Sequence, residues 1–167
     1  MISFLTKTIQ RVLVFFLYTA LVVILLAGSI RLINYSLCQQ FYRQWLMEWE
    51  NALNAFSSKG GRYPVFANNN HREYMTGLCI AMADLDIAVP SSNTRYPFTY
   101  RYKAVDLRGI SGNVFLLGLA DRIVIYGMPE RLFEWIDKAV DGRVGMDTGR
   151  ITGRKASDQN WTGVMQL

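Results

Sequence analysis

The sequence predicts an α+β protein: a long N-terminal helix, transmembrane in its first half and amphipathic in its second, packed on a small antiparallel β-sheet. Three observations carry that expectation. An uncharged apolar run lies near the N-terminus, a helical apolar periodicity follows it without a break, and the second half of the chain alternates in the manner of strands. The 167 residues leave room for one ordinary domain and an appendage. With 51% apolar and 13% aromatic residues, the chain can build a real core.

Between Arg11 and Arg31 stand 19 consecutive uncharged residues, VLVFFLYTALVVILLAGSI. As a helix they reach about 28 Å, close to the thickness of a bilayer's hydrocarbon core. A lone span must satisfy its own backbone in lipid, so it is helical. A buried soluble helix and a cleaved signal peptide are the alternatives. The length of the run, and its continuation as an amphipathic helix, favour a retained anchor. The predicted organisation is therefore 1–31 as N-terminus and transmembrane helix, and 32–167 as an extracytoplasmic domain. Lys7 and Arg11 on the short flank place the N-terminus in the cytoplasm and the domain in the periplasm or outside, with the anchor in the inner (cytoplasmic) membrane.

From 32 to 56 there is neither proline nor glycine, and apolar residues recur at Cys38, Phe41/Tyr42, Trp45, Trp49, Ala52/Leu53 and Phe56. That spacing marks one face of an α-helix and predicts a single helix over 8–56. The stripe Phe41, Trp45, Trp49, Leu53 and Phe56 reads as its core-facing side. Ser57, Ser58, Lys59, Gly60 and Gly61, with Pro64 beyond, stop it. A shorter helix is predicted over 71–85, with Tyr74, Leu78, Ile80/Ala81, Met82 and Leu85 buried. The segment 97–103 alternates as a strand with Phe98, Tyr100 and Tyr102 on one face. Strands over 113–119 and 122–126 meet at Ala120 and Asp121 in a hairpin. Pro129 opens a helix over 130–140, and 150–152 and 161–165 read as short strands.

The formal charge is +5, yet Lys7, Arg11 and Arg31 flank the span and leave 15 of the 18 basic residues against 13 acidic ones. A nearly balanced domain with no basic block excludes nucleic acid as a partner. Cys38 and Cys79 have no metal spacing; a disulfide in an oxidising compartment and two separate thiols remain alternatives. His71 is the lone histidine, which excludes a histidine triad or multi-histidine metal site within one chain, and its Asn-rich surroundings predict a solvated polar residue. Asp137, Asp141 and Asp147 beside a glycine-rich turn are either calcium ligands or ordinary turn and cap carboxylates, and no other cofactor is suggested.

Two local motifs sharpen the picture. Gly61-Arg62-Tyr63-Pro64 follows the long helix, and Ile136-Asp137, Asp141-Gly142 and Thr148-Gly149 follow one another in order. Together with the architecture, they resemble the type IV pilin and type II secretion pseudopilin superfamily over nearly the whole chain. That resemblance implies a non-enzymatic structural or assembly subunit of a pilus or secretion machine. Its partners would be the membrane and other subunits of the envelope assembly, this protein itself among them. It also implies a calcium ion close to the C-terminal part of the domain in some relatives. The chain departs from the family at its start: no glycine precedes Phe4, and Thr8 stands where relatives carry a glutamate. The expectation is an unprocessed relative that stays in the membrane. The rival reading is a tethered sensor, which requires a pocket between sheet and helices. A tethered enzyme would rest on Asp121, Asp137 and Asp141.

Overall fold

The structure, a computed structural model, describes residues 2–167 apart from 68, 95–97, 106–110, 144, 146 and 157–159, and of 2–9, 105 and 111 it describes the backbone alone. The chain divides into two units, Met1–Ser36 and Leu37–Leu167.

The first unit is helix throughout its described length, part of α1 (Ile2–Phe41). Every side chain from Gln10 to Ile33 is exposed. A helix this long and apolar on all sides is able to cross a bilayer. Its polar interruptions are satisfied internally: the Thr19 hydroxyl donates to the Phe15 carbonyl and the Ser29 hydroxyl to the Leu25 carbonyl, both at 2.8 Å. Among the described residues, the helical run that begins here is the one long and apolar enough to cross a membrane.

In the second unit the helical run continues from α1 through a π-helical turn, Tyr42–Leu46, into α2 (Met47–Ser58). The π turn corrects the regular α-helix expected over 8–56, and the burial pattern explains it. Phe41, Trp45, Trp49 and Leu53 are all buried, at successive four-residue steps. In an α-helix each such step overshoots a full turn by about 40°, so the stripe would drift off the core. A locally wider turn takes up the drift. Gly60, at φ 73°, then ends the helix in the left-handed region.

Five antiparallel strands follow: β1 (Arg101–Val105), β2 (Ser111–Gly118), β3 (Arg122–Met128), β4 (Ile151–Lys155) and β5 (Trp161–Gln166), in the order β1-β2-β3-β5-β4. The β2–β3 connection is the expected tight hairpin, closed by Leu119 N donating to Arg122 O at 2.8 Å. β1 starts later than anticipated: Phe98 and Tyr100 precede it, and Arg95, Tyr96 and Pro97 lie outside the described residues.

Val114, Leu116, Ile123, Ile125, Ile151 and Met165 turn one sheet face inward. Phe41 and Trp45 pack their rings on Tyr102 of β1, and Leu53 lies where a side chain at Gly118 would stand. The same face receives α4 (Glu130–Asp141), whose Phe133 stacks on Trp161 at 5.0 Å and occupies the space left by Gly153, while Met128 fills that left by Gly163. α3 (His71–Asp84) seals β2 where β1 has ended. The Tyr74 hydroxyl donates to Gly118 O at 2.9 Å, and Gly118 N approaches Met75 Sδ at 3.3 Å. α3 buries Tyr74, Met75, Leu78 and Met82; Ile80 is exposed, correcting one of the expected core positions, and Met75 takes a core place that the expected set does not contain. The free edge of β1 is closed by side chains. Asn93 donates to Lys103 O and accepts from Lys103 N, both at 2.8 Å, and Ser92 bonds Arg101 O.

Candidate interaction site

The stripe residues Phe41, Trp45, Trp49, Leu53 and Phe56 are core, each at most 1% exposed. The Trp45 indole donates to Thr99 O at 2.8 Å. None of them is available to a partner of the folded domain.

Both motifs act at helix ends. Gly61 lies under the Phe56 ring, where any Cβ would collide. Tyr63 sets its ring edge-on to Phe56 at 5.1 Å and bonds the Ser57 hydroxyl at 2.9 Å, while Pro64 packs beside Gly77. Arg62 is exposed. At the end of α4, Gly142 takes φ 74° as a left-handed cap, and Ile136 and Asp137 are fully buried. Asp137 Oδ2 accepts from Gly145 N at 2.6 Å. Asp141 accepts from Arg150 N at 2.8 Å and Ile151 N at 3.1 Å, filling the space that a side chain at Gly149 would need. Thr148 and Asp147 are exposed. Arg150 also pairs with Glu50 of α2 and donates to Gln166 O of β5. These carboxylates therefore fasten backbone. Among the described residues no group of three or more His, Cys, Asp or Glu is placed to hold a metal ion.

Cys38 and Cys79 stand as separate thiols, both half-buried against the core. Burial pushes the Cys79 thiol above its ordinary value. Asp121 is exposed, and the hydrogen bond from the Arg122 guanidinium holds its carboxyl below the usual range. A concavity on the chain is lined by Gln10, Arg11, Val14, Phe15 and Tyr18, all from one stretch of α1, with no wall from a second element.

His71 corrects the expectation of a solvated residue. It is half-buried, with ring contacts to Phe66 at 5.1 Å, Tyr126 at 5.5 Å and Phe115 at 6.1 Å. Phe115 and Tyr126 are register partners on β2 and β3, on the sheet face opposite the core, and Arg101 of β1 stands in the same row. Phe66 is 41% exposed. Alongside, the guanidinium carbons of Arg72 and Arg101 lie 4.8 and 5.0 Å from the centroid of the half-buried Phe98 ring. The sequence does not announce this aromatic and basic outer surface, because its members are scattered from Phe66 to Tyr126 with no shared spacing. The one available signal was charge: β1 to β5 contain Arg101, Lys103, Arg122, Arg154 and Lys155 but no Asp or Glu.

The chain matches no protein-family model, no curated protein and no solved structure. What is established is an α+β protein with one N-terminal helix able to span a membrane.

Proposed function

We propose that this protein is a membrane-anchored, non-enzymatic, pilin-like subunit of an extracytoplasmic pilus or secretion assembly, working by protein–protein contact. The carrying observation is the unbroken helical run whose exposed apolar segment, Gln10 to Ile33, is followed by a buried segment, Phe41 to Phe56, in the core of an α+β domain. The two helix-end motifs support the same reading: each fits a structural role at its helix terminus. The anchor sits in the inner membrane with the N-terminus cytoplasmic, on the strength of Lys7 and Arg11. Lateral association of the span uses close packing and interhelical contacts, with Ala27, Gly28 and Ser29 allowing near approach.

The test is a photocrosslinking residue at Ile24 or Leu26 in intact membranes, with mass identification of the adducts. Covalent joining to another single-span subunit of a pilus or secretion machine, or to a second copy, is the expected result. A protein that remains monomeric, and whose deletion leaves piliation and secretion intact, overturns the proposal.

A further inference from the structure

The strands of this domain are charged with one sign. Arg101, Lys103, Arg122 and Arg154 occupy exposed strand positions, and no strand carries a carboxylate to balance them. Arg122 is taken by Asp121. Among the described residues the ion pairs are that one and Arg150–Glu50, and none of those residues gives Arg72, Arg101, Lys103 or Arg154 a carboxylate partner. Two of these cations are held in place. Arg72, in the first turn of α3, and Arg101, at the start of β1, both rest on the Phe98 ring. Stacking limits the motion of a guanidinium while leaving its N–H fork free, which favours capture of carboxylates. Beside them the row Arg101–Phe115–Tyr126 and the exposed Phe66 offer ring surface next to charge.

We propose that this outer sheet face, centred on Arg72, Phe98 and Arg101, docks an acidic polypeptide segment of a partner protein. Charge complementarity sets the sign of the occupant. The spacing sets its kind. The cations are single points separated by apolar and aromatic residues, a pattern that meets spaced carboxylates among apolar side chains. A nucleic-acid strand calls for a continuous cationic track instead. The proposal is independent of which assembly the protein serves.

The experiment uses the full chain in nanodiscs of zwitterionic lipid. The probe is a fluorescein-labelled peptide of alternating Glu and Tyr, followed by anisotropy across a salt series. A single-stranded oligothymidylate of equal charge and phosphatidylglycerol vesicles serve as competitors. The peptide is expected to bind at low salt and to weaken as salt rises. The double variant R72Q/R101Q should lose about tenfold in affinity, equivalent to about 1.4 kcal/mol, and the charge-matched control R131Q/R143Q less than about twofold. Phe98→Leu, which keeps both charges and removes the ring beneath them, should also weaken binding severalfold. Absence of binding, equal loss in the control pair, an unaltered Phe98→Leu variant, or an oligonucleotide or vesicle that displaces the peptide at lower charge concentration would each overturn the proposal.

Discussion

Asp141 shows how much one carboxylate settles. Its two oxygens receive the amides of Arg150 and Ile151, so the chain leaving α4 is pinned where β4 begins. Asp141→Ala strands both amides, one on the fully buried Ile151, and should lower unfolding free energy by about 2 kcal/mol, read as a reduced urea midpoint in micelles. Tyr74 has a different signature. Burial, and then the neighbouring Tyr63, push its phenol up to about 12, whereas an unfolded tyrosine ionises near about 10. Between those values the folded state holds more protons. The contribution is therefore complete below about pH 10 and is lost as pH climbs toward 12. Tyr74→Phe should cost about 1 kcal/mol by leaving Gly118 O without its donor, and should shrink the alkaline loss of stability in a denaturation series run from pH 9 to about 12.5. Neither role was readable beforehand. Spacing places carboxylates near a turn, but a backbone amide and a cation make the same demand on them, and only the folded loop shows which is met.

At the scale of elements, the hairpin, the terminal strands and α4 were legible because turn residues and Pro129 announce them locally. The π turn was half-legible: the four-residue steps from Phe41 to Leu53 stood in the sequence, though read as ordinary helix. A π turn behaves as one residue inserted into an α-helix, so removing an exposed member should let the run close to regular α without turning the segment beyond it. Deleting Gln44 is expected to leave a folded domain with a modest fall in thermal midpoint. Deleting the exposed Asn51 from α2 rotates Leu53 and Phe56 by about 100° out of the core and should abolish the cooperative transition. Circular dichroism melts of the two deletions, side by side, decide the matter.

For the molecule as a whole, composition and patterning were sufficient for the class of fold, since a 19-residue uncharged run and a balanced, aromatic-rich remainder admit few layouts. A charge placed mid-span tests the anchor directly: Val22→Arg should raise the cost of insertion by about 3 kcal/mol and shift protein into the carbonate-extractable fraction. The outer sheet face was illegible because tertiary structure alone brings its members together.

The closure of β1 by Asn93 makes the sheet lopsided, since at the opposite border β4 comes last in the strand order and, among the described residues, no strand lies beyond it. Asp141 already holds the Ile151 amide, so runaway strand pairing in concentrated samples has a direction, growing outward from 153–155, where Arg154 and Lys155 act as electrostatic gatekeepers. Swapping that pair for valine should speed thioflavin-positive fibril growth, whereas comparable changes beside Asn93 should not.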